Sequence, residues 1–263
     1  MAAVPRLAGT VKRVCGFLAP KSFQLGERHS LYLTSACAAS TRRAMTRVKI
    51  CGLRDTAHIR AAAEAGADWV GFVLFPASPR NVLGDGEDPF EDVIGLSEFA
   101  QDLGLLSVIL LVDPDEDFFD DVLHEIEPDA IQLHGKETPD QVLRWWRDCA
   151  GICELWKAVS VGDESDLEAL DQWRVDRLLI DAKPPEDADR PGGNGETVDW
   201  SLLEGFEPDV PWLLAGGLTP DNVEVAITAT GATAVDVSSG IERTPGVKDE
   251  DLIRDFIDAA KSA

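Results

Sequence analysis

Residues 212–240 read WLLAGGLTPDNVEVAITATGATAVDVSSG. An apolar run, Trp212–Ala215, ends at Gly216-Gly217. Thr219-Pro220 then introduces an amphipathic stretch to Thr230, and a second apolar run, Ala234–Val237, ends at Ser238-Ser239-Gly240. Strands of four residues joined by a helix imply parallel pairing, because two such strands need a crossover. A threonine before proline supplies a capping hydroxyl and a first-turn residue with no N–H to satisfy. The same Thr-Pro pair recurs at Thr138-Pro139.

Working outward, the alternation covers the chain from residue 48. Further strand-like runs are Val48–Cys51, Trp69–Leu74, Leu106–Val112, Ala130–Leu133, Glu154–Val159 and Arg177–Asp181. Helical stretches fall at 56–65, 90–103, 115–126, 139–150, 164–173, 200–204, 220–230 and 249–261. Eight βα units predict an α/β fold in which a parallel sheet closes as a single (β/α)8 barrel. A doubly wound open sheet is the alternative, but Cys51-Gly52-Leu53-Arg54 is not the glycine fingerprint it normally carries after its first strand. The acidic stretch 84–92, GDGEDPFED, reads as a solvated elaboration of the second loop.

Charge divides the chain in two. The 263 residues hold 24 Lys+Arg against 48 Asp+Glu, a net of −24. Residues 1–44 carry seven basic groups and one acid, so the remainder stands at −30. The basic leader lacks periodicity and is expected to be unstructured. Translation starting at Met45 is the favoured reading, beside a docking arm or a cleaved targeting peptide. Residues 45–263 form the barrel domain. A surface with many carboxylates and six lysines is expected of a salt-adapted, halophilic protein, whose self-repulsion is screened at high ionic strength. Such a charge excludes nucleic acid as a partner. The longest apolar run, Leu105–Val112, is too short to span a membrane. Five cysteines without CxxC or Cys/His spacing point to a reducing cytoplasm and no metal.

In such a barrel chemistry belongs at the C-terminal ends of the strands. Gly216 and Gly217 follow strand seven; Ser238, Ser239 and Gly240 follow strand eight. Loops there are the recurrent phosphate site of this fold. Gly193 and Gly195, in the long loop after strand six, are placed to close over the same ligand. Each glycine pair alone also reads as a turn. Cys51 ends strand one and Asp181 ends strand six. A thiolate and a buried carboxyl are a base and an acid for proton transfer at carbon. Each has a plainer reading, as a small buried residue or as a loop salt bridge. Arg80 offers a planar fork for a carboxylate, or a surface ion pair. His134 is a hydrogen-bonding group without an evident partner, and Asp236 lies at the end of strand eight.

These residues occur in the stretches VKICGLRD (48–55), GADWVGFVLFPASPRNV (66–82), IQLHG (131–135), LLIDAK (178–183), GGNGETVDW (192–200), LLAGGLTPDNV (213–223) and DVSSGIERTPGVKD (236–249). In this order they resemble the phosphoribosylanthranilate isomerases of tryptophan biosynthesis, across residues 47–261. The resemblance implies a cofactor-free Amadori rearrangement of N-(5-phosphoribosyl)anthranilate to 1-(2-carboxyphenylamino)-1-deoxyribulose 5-phosphate. It implies Cys51 as general base, Asp181 as general acid and Arg80 on the anthranilate carboxylate. The glycine loops and the serines after strand eight would hold phosphate, with Asp236 a further site residue. Asn194 and Val198 depart from the family's usual Thr and aromatic, which bears on the sixth loop. The histidine-pathway phosphosugar isomerases are the enzymatic alternative, singly or as a second activity. They usually place an aspartate at strand one, where Cys51 stands. Indole-glycerol-phosphate synthase would need more strand-end lysines and glutamates than Lys157. A non-catalytic phosphate-binding barrel is the remaining reading. The only implied partner is the small-molecule substrate, and a monomer or a homodimer is compatible with the sequence.

Overall fold

The computed structural model describes residues 45–84, 86, 88–183 and 197–263. The expectations for residues 1–44 and for Gly193 and Gly195 lie outside these. Among the described residues eight parallel strands close into a barrel: β1 (Arg47–Cys51), β2 (Trp69–Leu74), β3 (Leu106–Leu111), β4 (Ala130–Leu133), β5 (Glu154–Val161), β6 (Arg177–Ala182), β7 (Trp212–Leu214) and β8 (Ala234–Val237). Closure is made by β1, which pairs with β2 on one side and β8 on the other, with Lys49 opposite Trp69 and Asp236. Helices α1 (Thr56–Ala65), α2 (Glu91–Asp102), α3 (Glu116–Asp121), α4 (Pro139–Asp148), α5 (Glu164–Glu168), α6 (Val223–Thr230) and α7 (Glu250–Ser262) lie between or after the strands. A 3-10 turn, Trp200–Leu203, precedes β7. A short hairpin, β9 (Glu242–Thr244) and β10 (Val247–Lys248), stands between β8 and α7.

Two apolar layers explain why these runs are strands. Strands covered on both faces read as continuous hydrophobic runs, and all six residues of β2 are buried. Ile50, Val70, Ile109, Ile131, Leu155, Ile180 and Val235 meet the helices in the outer layer. Trp69, Val108, Ala130, Trp156, Leu179, Leu213 and Ala234 form the inner cluster. Trp69 and Trp156 meet edge to face at 5.5 Å, and the Arg47 guanidinium lies 3.6 Å from the Trp69 ring centre. The barrel is therefore filled below its mouth, which confines polar chemistry to the upper strand ends.

Helix boundaries follow local chemistry. Asp55 caps α1 by accepting from the amides of Ala57 and His58, and Gly66, at φ 90°, ends it. Thr138 and Gln141 form the capping box of α4, as the Thr-Pro pair predicts; such a cap is worth about 1 kcal/mol. The second Thr-Pro pair behaves differently. α6 begins at Val223, three residues after Pro220. Asn222 intervenes: its Oδ1 accepts from the Thr219 amide at 2.8 Å and its Nδ2 donates to the Gly217 carbonyl at 3.0 Å. This side-chain turn replaces a first helical turn. The acidic second loop is also not wholly solvated. Phe90 is buried and packs on Phe118, with ring centres 5.7 Å apart. The described helices include none long and apolar enough to cross a membrane.

Candidate active site

The barrel mouth is built from alternate residues of β1, β4, β6 and β8, whose side chains share the inner face by the strand's period of two. On β1 these are Lys49 and Cys51. Lys49 is fully buried and its Nζ donates to Asp236 Oδ1 of β8 at 2.7 Å. Burial alone would lower the ammonium's pKa. The Asp236 carboxylate and the Cys51 sulfur outweigh it, so Lys49 is held above the usual lysine range. Cys51 is buried to 4 % exposure. Burial pushes its thiol up, against the opposing pull of the Lys49 and Lys248 charges, while Asp236 adds to the rise.

Asp181 sits on β6, buried, with Oδ1 accepting from the Ala182 amide at 2.8 Å. Its Oδ2 lies 3.3 Å from His134 Nε2, beyond the end of β4. The contact is an ion-pair distance without hydrogen-bond alignment, and among the described residues Nε2 has no hydrogen-bond partner. His134 Nδ1 is 3.1 Å from Gln132 Nε2, and Gln132 Oε1 is likewise buried and unpartnered. Buried polar atoms left without partners mark where a ligand or water completes the bonding. Gly216, at φ 82°, passes beside this carboxyl. A methyl group there would lie 2.7 Å from the Ala182 amide nitrogen and 3.0 Å from Asp181 Oδ1. That position admits only glycine, on conformation and on space.

Arg80 is paired, but not at the surface as the ion-pair reading had it. Its side chain is buried, and Nε and Nη2 donate to the two carboxylate oxygens of Glu242 at 2.7 and 2.8 Å. Glu242 Oε1 also accepts from Lys248 Nζ at 2.8 Å. Burial raises the Glu242 pKa, but the Arg80 hydrogen bond and the Lys248 charge overcome it and hold the carboxyl below the ordinary range. Lys248 is lowered by burial, which Glu242 partly offsets. The hairpin β9–β10 thus delivers an anion and a cation to the loop after β2. Gly52, at φ 78°, lets the Arg80 stem pass; an added methyl would lie 2.6 Å from Arg80 Cδ.

The loop after β8 is partly committed to holding the mouth together. Ser238 Oγ donates to the Cys51 carbonyl at 3.2 Å, and the Ser238 carbonyl accepts from Lys248 Nζ at 2.8 Å. Gly240 is glycine for packing, since a methyl there would collide with the Leu218 carbonyl. The structure therefore gathers Cys51, Asp181, His134, Asp236, Arg80, Gly216, Gly217 and Ser238–Gly240 at one end of the barrel. Lys157 is tied elsewhere, pairing with buried Glu137 at 2.8 Å and bridging to the Gly135 carbonyl at 2.9 Å. Sequence reasoning missed Lys49, Glu242 and Lys248. The legible signal for Lys49 was a lysine at an inward strand position two residues before Cys51.

Three cations, Lys49, Arg80 and Lys248, face two carboxylates, Asp236 and Glu242, around the β1 side of the mouth. A (β/α)8 barrel whose upper strand ends converge on buried charge and an unpaired thiol has the layout of a small-molecule enzyme of this fold. The family model for N-(5'-phosphoribosyl)anthranilate (PRA) isomerase matches residues 48–259. The N-(5'-phosphoribosyl)anthranilate isomerase of Paramagnetospirillum magneticum is 49 % identical over 216 residues, 81 % of this chain and 96 % of its own. That of Paracoccus denitrificans is 51 % identical over 213 residues, 80 % and 94 % of the two chains. The phosphoribosyl anthranilate isomerase structure from Thermotoga maritima superposes with TM-score 0.68 at 36 % identity, covering 83 % of this chain and all of that one. A phosphoribosyl anthranilate isomerase in complex with reduced 1-(o-carboxyphenylamino)-1-deoxyribulose 5-phosphate gives TM-score 0.66 at 33 % identity, with the same coverage. The chain belongs to the N-(5'-phosphoribosyl)anthranilate isomerase family.

Proposed function

We propose that the barrel of residues 45–263 converts N-(5'-phosphoribosyl)anthranilate to 1-(2-carboxyphenylamino)-1-deoxyribulose 5-phosphate, a step of tryptophan biosynthesis, with Cys51 as base and Asp181 as acid. The observation that carries this reading is a buried thiol on β1 facing a mouth that also holds a buried carboxyl on β6. Asp181 gives its proton to the furanose ring oxygen as the anilino nitrogen's lone pair expels it, leaving a protonated Schiff base at C1. Cys51, as thiolate, takes the C2 proton; the C–H electron pair forms the C1–C2 double bond and the iminium is neutralised. The enolamine then gains a proton at C1 and loses its C2 hydroxyl proton, giving the ketone. Each positioned proton transfer is worth about 10²–10⁴-fold.

The substrate carries a phosphate and a carboxylate, and the surrounding protein is strongly acidic. Arg80, held in place by Glu242, faces the carboxylate with the donors that Glu242 does not take. The turns of Gly216 and Gly217 and the amides of Ser239 and Gly240 are assigned to the phosphate. His134 hydrogen-bonds substrate through its unpartnered Nε2. Asp236 acts through Lys49. We read the protein as cytoplasmic, supported by free thiols at Cys51, Cys149 and Cys153, and as salt-adapted, supported by its carboxylate excess. Rescue of a tryptophan auxotroph lacking this isomerase tests the function. Growth restored by the wild-type chain and lost with Cys51→Ala is expected; failure of the wild type to rescue at permissive salt would overturn the assignment.

A further inference from the structure

The most unusual residue of β2 is Gly71. It interrupts WVGFVL, where a glycine weakens the strand and gives up packing. Its backbone does not require glycine, since it is absent from the positive-φ residues. Space is the reason. A methyl at Gly71 would lie 2.9 Å from Cys51 Sγ, 3.1 Å from Lys49 Nζ and 3.2 Å from Cys51 Cα. Sulfur and ammonium therefore flank the same bare Cα, within the ~4–6 Å over which an opposite charge favours the ionised form of a group. Lys49 cannot turn away, because it is fully buried and anchored by Asp236 at 2.7 Å.

We infer that Lys49 is the positioning residue that ionises the general base: lodged with Cys51 in the space left by Gly71, and fixed by Asp236, its ammonium stabilises the Cys51 thiolate. The inference rests on the assignment of Cys51 as base. The charged groups around the sulfur come from four parts of the chain. Lys49 is on β1 itself. Asp236 stands on β8, bound to Lys49. Glu242 and Lys248 belong to the hairpin, and Arg80 follows β2 and is matched to Glu242. Asp236 opposes the thiolate and Lys248 favours it. Lys248 also donates to Ser238, whose hydroxyl donates to the Cys51 carbonyl. Lys49 is bound to Asp236, whereas Arg80 and Lys248 are bound to Glu242, so removing Lys49 changes the field at sulfur without breaking the Arg80 pair.

The test uses full-length protein and two readouts. Alkylation of Cys51 by iodoacetamide, followed by peptide mass against pH, reports thiolate formation directly. The pH profile of kcat on N-(5'-phosphoribosyl)anthranilate reports the base. In Lys49→Met both acid limbs are expected to move up together by at least about one pH unit, lowering kcat at pH 7 about 10-fold or more with KM changed less than about 3-fold. Lys49→Arg is expected to restore most of the shift. Should Lys49→Met fail to fold because Asp236 is left unpaired, Lys49→Met/Asp236→Asn removes both charges and must still show an upward alkylation shift, smaller than that of the single variant because Asp236 itself opposes the thiolate. An unmoved alkylation profile in a folded variant overturns the inference. A moved alkylation profile with an unmoved kcat limb overturns the assignment of Cys51 as base, while leaving the pairing of Lys49 with the thiol intact.

Discussion

Gly71→Ala separates a glycine kept for space from one that is merely tolerated. An alanine in a strand at an ordinary backbone conformation should stabilise by about 0.4–1 kcal/mol, because it narrows the unfolded ensemble. Here the methyl would meet Sγ at 2.9 Å, Nζ at 3.1 Å and a backbone Cα at 3.2 Å. Two of these atoms are pinned, the ammonium by Asp236 and the Cα by its strand. Overpacking of this kind costs about 1–3 kcal/mol. The net expectation is a loss of about 1–2 kcal/mol, read as a lower urea midpoint at unchanged m-value. Displacing the sulfur by a few tenths of an ångström should also lower kcat about 10-fold. Gly95→Ala, inside α2 and with nothing within 4 Å of the added methyl, is the matched control. It should gain about 0.5–1 kcal/mol and leave kcat unchanged. A Gly71→Ala protein as stable and as active as wild type would refute the crowding, and with it the reason given for this glycine.

Arg80→Ala should raise KM and lower stability by about 3–5 kcal/mol, since it breaks a buried pair, whereas Arg144→Ala on the exposed Glu116 pair should cost under about 1 kcal/mol. Equal effects in urea unfolding would argue against a structural role for the buried pair. Because Arg80 and Lys248 hold the Glu242 pKa below its unfolded value, its stabilisation is complete above the unfolded pKa. It is lost as pH falls through the depressed folded value. Acid unfolding of Glu242→Gln should accordingly be shallower than wild type between about pH 5 and 3; identical pH slopes would contradict this. Activity and thermal midpoint should both rise between ~0.1 M and molar KCl, and a flat response would remove the salt-adaptation reading.

The strands were legible because each is buried on both faces, and apolar continuity survives in the sequence. Trp69–Leu74, Ala130–Leu133 and Ala234–Val237 match residue for residue, and the other strands differ only at their ends. Helix starts were less legible. Thr219-Pro220 carries the same local signal as Thr138-Pro139, yet Asn222 captures the chain ends of that turn first. At the site, Cys51 and Asp181 could be found because a reactive group at the end of an apolar run is conspicuous. Glu242 and Lys248 could not, since a hairpin that folds back over the barrel mouth has no periodic signature. Arg80 stood out in the sequence, but its Glu242 partner lies 162 positions away. Lys49 was legible only through Cys51: a residue two positions before an inward strand residue shares its face, but the pairing with Asp236, 187 positions away, leaves no local signal.

The most direct measurement is steady-state turnover of N-(5'-phosphoribosyl)anthranilate by purified wild type, Cys51→Ala and Asp181→Asn at saturating substrate. The wild type should form 1-(2-carboxyphenylamino)-1-deoxyribulose 5-phosphate without added cofactor. Each variant should lose at least ~100-fold in kcat, with KM little changed. Near-wild-type turnover by either variant would contradict the assignment of base and acid.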